Sequence, residues 1–138
     1  MGLFGSKENP EDMKHNAMSM MERNQPKAAV SVYNKILKQN ATDTDALLNK
    51  GLALNQMRKY SDSITCFDKL LEINPNDAQA LYFGGMSHYE NHNYRKSVPL
   101  LEKFLKQKSS ITYKKNSQDA EWYLANSYLK LNQKQKNI

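Results

Sequence analysis

The sequence predicts an all-α protein made of three consecutive helix-turn-helix units. Residues 44–77 contain two segments in which apolar or small side chains recur every three or four residues, as they do on one face of an α-helix. These side chains are Leu47, Leu48, Gly51, Leu52 and Leu54 in the first segment, and Ile64, Phe67, Leu70, Leu71 and Ile73 in the second. A polar stretch separates the two segments. Pro75 ends the second, because proline lacks an amide hydrogen and restricts the residue before it.

The same pattern recurs at a fixed interval along the chain. The template also fits when it starts at residue 10 and at residue 78, so units 10–43, 44–77 and 78–111 follow one another with a period of 34 residues. A single helix pair would leave one apolar side exposed to water. We therefore expect the three units to stack, with each one burying a face of its neighbour.

Equivalent positions of the three units carry similar side chains. The first helices have a small residue, the second helices have a large apolar residue, and two of the second helices open with an aromatic residue. In that order the positions are Ala17, Gly51 and Gly85; Tyr33, Phe67 and Leu101; and Tyr60 and Tyr94. With its period of about 34 residues, the pattern resembles the tetratricopeptide repeat family. The resemblance implies a right-handed superhelix of three helix-turn-helix repeats.

The sequence departs from the family pattern at a few positions. Pro26 stands where the other repeats have tyrosine, Ser63 and Ser97 replace the alanine that the family favours, and Ala41 and Ser109 replace its terminal proline. Because the family motif is degenerate, these departures do not change the predicted fold. They make the first and third repeats a weaker match to the motif than the second.

The remaining segments are short. Residues 1–9 are expected to be a flexible tail, and residues 112–117 a loop or extension. The template resumes at Gln118, so residues 118–136 are expected to form a C-terminal capping helix with a polar end. The tail fits the N-myristoylation pattern at Gly2, but only Lys7 offers the second, basic signal that stable anchoring needs. We expect a frayed tail, with lipidation as the alternative.

The composition favours a cytoplasmic protein without bound metal. The chain has 138 residues, 39% hydrophobic residues and a mean hydropathy of −0.82, which suit a single domain with the thin core of a solenoid. No apolar run approaches the length of a membrane span. Cys66 is the only cysteine, which excludes an intramolecular disulfide and indicates a reducing compartment. We expect Cys66 to be packed, and we expect no metal at His88 and His92, because a third ligand is missing.

The sequence contains no catalytic motif. A glycine-rich phosphate loop, a nucleophile elbow and a metal-spaced cluster of cysteine and histidine are all missing. We therefore expect a protein that is not an enzyme and that needs no cofactor.

The resemblance implies a peptide-binding groove on the concave side, where the first helix of each repeat lies. The predicted peptide contacts are Lys14, Met18, Leu48, Asn49, Leu52, Tyr82, Phe83, Met86, Tyr89 and Trp122; His15, Met21, Glu22, Asn55, Glu90, Tyr123 and Asn126 lie toward the same face. This set is rich in apolar and aromatic side chains, which are typical binding anchors. The sequence leaves two interpretations open: an exposed groove, or a groove covered by the last helix or the tail.

One subfamily of these repeats holds the acidic C-termini of chaperones with a five-residue carboxylate clamp. Lys14 and Asn49 match that clamp, whereas Met18, Gln79 and Phe83 do not, so we do not expect this ligand. The predicted function is a non-enzymatic adaptor that binds a peptide of another protein through apolar or aromatic anchors. Self-association is kept as an additional option.

The alternative function is binding of a polyanion, either RNA or an anionic membrane, through the C-terminal end. The net charge is +6, and eight lysines from Lys103 onward face only Asp119 and Glu121. Lysine without arginine or interleaved aromatic residues is weak support for nucleic-acid binding. Nucleic acid and membrane are therefore not the partners that we expect.

Overall fold

The computed structural model describes residues 8–107 and 114–136. Within these ranges the chain forms seven α-helices and no strand. The helices are α1 (Pro10–Glu22), α2 (Pro26–Gln39), α3 (Thr44–Gln56), α4 (Tyr60–Ile73), α5 (Ala78–Glu90), α6 (Tyr94–Lys106) and α7 (Lys114–Lys136). Each helix packs against the next in the chain, so the architecture is an all-α array of helix pairs, as predicted.

The helices begin at the interval that the sequence predicts. α1, α3 and α5 start at residues 10, 44 and 78, and α2, α4 and α6 start at residues 26, 60 and 94. α7 differs from the prediction, because it begins at Lys114 rather than at residue 118. No proline or glycine interrupts residues 114–117, so nothing in the chain stops the helix from extending upstream. Residues 1–7 of the predicted tail and the end of the third repeat, 108–111, lie outside the described residues.

The turn inside each repeat has the same backbone geometry. Asn24, Arg58 and His92 have φ angles of 58°, 58° and 60°, and they are 34 residues apart. In each case the following amide donates to a carbonyl five residues back, for example from Gln25 N to Met20 O at 2.8 Å. This arrangement is a Schellman-type helix ending, which satisfies carbonyls that the helix leaves unpaired.

Acidic side chains begin the first helices of the second and third repeats. The Asp43 carboxylate accepts a hydrogen bond from Ala46 N at 3.0 Å, and Asp77 accepts one from Ala80 N at 2.9 Å. Asn9 caps α1 in a related way by accepting from Glu11 N. A side-chain cap of this kind stabilises a helix by about 1 kcal/mol, so the boundaries between repeats are chemically defined.

The core is divided into three clusters, and each cluster includes an alanine from the next first helix. Ala46 of α3 closes the cluster of the first repeat, which contains Tyr33 and Ile36. Ala80 of α5 closes the second cluster, and Ala120 of α7 closes the third. All three alanines are fully buried. The repeats are therefore held together by the insertion of one small side chain into the preceding repeat.

Glycines allow close contact between the two helices of a repeat. A Cβ atom placed on Gly51 would lie 2.7 Å from the ring of Phe67, and one on Gly85 would lie 2.7 Å from Leu101. Both large side chains are fully buried and cannot move away easily. The small and large residues that recur in the sequence at these positions therefore contact each other in the structure.

Replacing Gly85 with alanine should destabilise the protein more than replacing the adjacent Gly84. Both changes gain about 1 kcal/mol of helix propensity, but Gly85→Ala forces a contact that costs roughly 1–3 kcal/mol. A Cβ on Gly84 is 3.3 Å from its nearest neighbour, the Cβ of Phe67, so Gly84→Ala is a matched control with less crowding. The free energy of unfolding in urea measures the difference. Equal stability of the two variants would contradict the packing argument.

Candidate functional site

The first helices present a row of equivalent apolar side chains that we call the central row. It consists of Met18, Leu52 and Met86, which are 34 residues apart and occupy the same position in α1, α3 and α5. Met18 is 54% exposed, and the other two are half-buried. The repeat geometry thus places an apolar side chain at the same point of each successive helix.

A cavity of about 260 Å³ opens beside the first two members of the central row. Its lining residues are Met18, Met21, Glu22, Tyr33, Asn49 and Leu52. The predicted contacts Met18, Asn49 and Leu52 therefore come together in one place. Tyr33 was missed as a lining residue, because its sequence position indicates only a core residue of α2. The cavity lies between the first two repeats and has a mostly apolar wall.

Lys14 is surrounded by three carboxylates. Its Nζ atom lies 3.0 Å from Asp43, 3.3 Å from Glu11 and 3.4 Å from Asp45. Burial alone would lower the pKa of Lys14, but the hydrogen bonds to Asp43 and Glu11 outweigh it and raise that pKa. Lys14 therefore links α1 to the start of α3 and is not a free cation for a ligand carboxylate.

Tyr82 is buried rather than open to a ligand. It is 5% exposed, it packs against Phe104 with ring centroids 5.3 Å apart, and its hydroxyl donates to Asp119 of α7 at 3.5 Å. Burial, followed by the nearby Asp119 carboxylate, raises the pKa of Tyr82. The prediction of Tyr82 as an accessible peptide contact is corrected by this packing, because α7 covers the side chain.

Aromatic side chains of α5 and α7 meet beside Tyr82. The Tyr89 ring lies 5.7 Å from Trp122 and 5.1 Å from Tyr123, measured between ring centroids, and Trp122 remains 56% exposed. Phe83 is half-buried and stacks on Phe67 at 6.4 Å. The last helix thus covers part of the third repeat and leaves the surface of the first two repeats open. Residues 1–7 lie outside the described residues, so whether the tail covers the rest of this face stays a prediction.

The remaining predicted contacts lie at the borders of the core. Leu48 is half-buried and packs against the cluster of Leu47, Leu70 and Ala80. Asn55 accepts a hydrogen bond from Ser87 Oγ at 2.8 Å, which joins α3 to α5. These two residues pack against the core beside the predicted groove. Their contact with a ligand stays a prediction.

Cys66 and His88 are buried in the described part of the chain, and His92 contacts a tyrosine. Cys66 is buried, and burial raises the pKa of its thiol. His88 is buried, whereas His92 lies beyond the end of α5 and contacts the Tyr94 hydroxyl at 2.9 Å. Among the described residues, no group of three or more histidine, cysteine, aspartate or glutamate side chains could hold a metal ion. In the same residues, no helix has the length and apolar character needed to cross a membrane.

The fold and the equivalent positions define an all-α helical repeat superhelix. The sequence model of the tetratricopeptide repeat matches residues 44–77. No curated protein matches the chain. The resemblance to the tetratricopeptide repeat family is confirmed: residues 44–77 are one such repeat, and the described helices have the fold of these proteins.

Several solved structures superpose closely on the chain. A double mutant of MamA from strain RS-1 has a TM-score of 0.80 at 22% identity. The superposition covers 90% of this chain and 66% of the MamA chain. The TPR2B domain of yeast Sti1, solved in a complex named for Hsp70, has a TM-score of 0.76 at 14% identity, covering 87% of this chain and 96% of that one. YrrB, titled as having an unusual peptide-binding site, has a TM-score of 0.67 at 22% identity, covering 80% of this chain and 59% of that one.

Replacing Asp43 with asparagine should destabilise the protein more than the same change at Asp77. Asparagine still caps a helix, so Asp77→Asn should cost little, whereas Asp43→Asn also removes the charge nearest to Lys14. We expect an additional loss of about 1 kcal/mol for Asp43→Asn, because this ion pair is largely shielded from water. Denaturant unfolding at neutral pH measures the two losses, and a smaller effect at Asp43 would show that Lys14 is not held by this carboxylate.

The stability of the protein should fall as the pH drops below about 6.5, in part because of His88. Burial, and secondarily the charge of Lys96, lowers the pKa of His88 despite the Asp68 carboxylate 3.5 Å away. His88 of the unfolded chain therefore binds a proton more readily than His88 of the folded chain. Its contribution to the free energy of unfolding is complete above the pKa of the unfolded state and is lost as the pH falls. The free energy of unfolding of wild type and of His88→Gln is measured from pH 8 to pH 5. The difference between the two proteins should become smaller as the pH falls. Parallel curves would contradict the assignment.

Proposed function

We propose that the chain is a non-enzymatic protein–protein interaction module that binds a peptide segment of another protein. An apolar or aromatic side chain of that segment inserts between α1 and α3, beside Met18 and Leu52. The observation that carries this proposal is the mostly apolar cavity of about 260 Å³ beside Met18 and Leu52, at the border of the first two repeats. An open apolar cavity with a few polar groups at its edge is the usual form of a binding site.

The exposure of Met18 supports the same function. A methionine that is 54% exposed leaves a large apolar side chain in water. Methionine adapts its shape to different apolar partners, because its side chain is unbranched and has three rotatable bonds. Among the structurally similar proteins, YrrB is described as having an unusual peptide-binding site and the Sti1 domain was solved in a complex named for Hsp70, which agrees with a protein ligand.

The described geometry favours the peptide over the polyanion. The basic residues of α7 do not form one flat patch, because Lys134 lies over the Tyr94 ring at 5.8 Å while Lys114 and Lys115 begin the helix at its other end. The apolar cavity, by contrast, is one continuous feature. We therefore treat polyanion binding as an outcome that the experiment below can reveal.

Replacing Met18 with glutamate should abolish capture of protein partners from a native lysate. The change places a charge at the mouth of an apolar cavity, where an apolar anchor would have to desolvate it. Leu129→Glu is a matched control, because Leu129 is 52% exposed on α7 and lies away from the cavity. Quantitative mass spectrometry should show loss of the partners with Met18→Glu and retention with Leu129→Glu.

Two results would contradict the proposed function. Equal capture by wild type and both variants would show that the cavity is not the binding site. Partners released by nuclease, or lost on charge reversal of Lys114, Lys115 and Lys134, would instead assign the chain to polyanion binding. Circular dichroism of each variant verifies that the helices are intact.

A further inference from the structure

Carboxylates border the central row of Met18, Leu52 and Met86 on both sides. Four positions after each member of this row, near the C-terminal ends of the first helices, the chain has Glu22, Gln56 and Glu90. Seven positions before each member, near the N-terminal ends, it has Glu11, Asp45 and Gln79. Residues four or seven apart share one face of a helix, so these side chains border the apolar surface. All four carboxylates are exposed.

The two acidic borders have different explanations within the fold. Glu11 and Asp45 lie in the first turns of α1 and α3, where a negative charge favours the helix dipole. Glu22 and Glu90 are the last residues of α1 and α5, where a negative charge opposes it. Helix stability therefore accounts for Glu11 and Asp45 but not for Glu22 and Glu90. Glu22 also lines the apolar cavity.

Among the described residues, no cation forms an ion pair with Glu22 or Glu90. Lys14 lies four positions before Met18, and the equivalent positions in α3 and α5 are Leu48 and Tyr82. Three carboxylates already surround Lys14. The positive charge of the chain is carried mainly by other helices. α2, for instance, has three lysines and no carboxylate. The chain has a net charge of +6, yet its most apolar surface is bordered by negative charge.

We propose that this surface selects a peptide segment in which apolar side chains alternate with lysine or arginine. The inference rests on the proposed function and specifies the partner. An apolar side chain occupies the cavity beside Met18 and Leu52, and basic side chains on either side of it reach Glu22 and Glu90. The selectivity is opposite to that of a clamp for acidic C-termini, because this surface repels carboxylates.

The spacing of the first helices fits an extended peptide. If neighbouring first helices lie about 10 Å apart, an extended chain that advances about 3.3 Å per residue crosses this interval in about three residues. An apolar side chain at about every third position would therefore meet successive members of the central row. The residues between them are free to carry the positive charges. A repeat of leucine, lysine and serine is the simplest sequence of this type.

Three fluorescein-labelled peptides of about ten residues test the selectivity. One repeats leucine-lysine-serine, and the other two have glutamine or glutamate in place of lysine. Fluorescence anisotropy with the full chain at low salt should give the order lysine, glutamine, glutamate, with at least about a tenfold difference in Kd between the first and the last. The difference should shrink at high salt, because exposed charges are screened.

The double variant Glu22→Gln, Glu90→Gln should weaken binding of the lysine peptide by about threefold to tenfold. It should leave the thermal midpoint unchanged or raise it, because the two charges oppose the helix dipole. Glu72→Gln is the matched control: Glu72 is also exposed and lies in the last turn of its helix, but on α4, away from the groove. This control should leave peptide affinity unchanged.

The outcomes separate the two proposals. Equal, Met18-dependent binding of all three peptides would overturn charge selection and leave the proposed function standing. Absence of Met18-dependent binding by any of them would overturn both. Self-association that disappears with Glu22→Gln, or peptide binding that appears only after Phe4→Ser, would assign the surface to a second copy or to residues 1–7 of the same chain. Either of these results would contradict the proposal that the peptide belongs to a different protein.

Discussion

The structure depends on the burial of one alanine of each first helix in the repeat before it. Ala46, Ala80 and Ala120 all have zero exposure and belong to three different core clusters. A larger side chain at any of them would have to displace packed neighbours, because protein interiors leave little free volume. No single repeat buries its own apolar faces, so these alanines hold the stack together.

The same alanines determine which side of the first helices faces the groove. Ala46 and Leu52 are six positions apart, which places them about 120° apart around α3. Once Ala46 is buried in the first repeat, Leu52 must lie beside the gap between α1 and α3. The same relation holds for Ala80 and Met86 in α5. The position of the central row is thus a geometric consequence of the core, whereas its apolar character is a property of the sequence at these positions.

The sequence predicted the parts of the structure that depend on short-range periodicity. The helix starts, the small and large residue pairs at Gly51–Phe67 and Gly85–Leu101, and the meeting of Met18 with Leu52 all follow from spacing within one repeat period. Contacts between distant segments were not predictable. Lys14 is neutralised by Asp43 from a loop 29 positions away, and Tyr82 is covered because α7 brings Asp119 against it. Neither interaction has a periodic pattern that a single sequence could display.

Charge distribution matters more for this protein than net charge. A basic chain suggests acidic partners when its charges are taken as uniformly mixed. Here the lysines lie mainly on α2, α6 and α7, and the carboxylates of Glu22 and Glu90 lie at the ends of the groove-facing helices, where they oppose the helix dipole. A ligand within a few ångströms of the groove experiences these near charges more strongly than distant lysines, since exposed charges are screened over about 8 Å at physiological salt. Under the proposed function, the local surface and not the total charge would select the segment that binds.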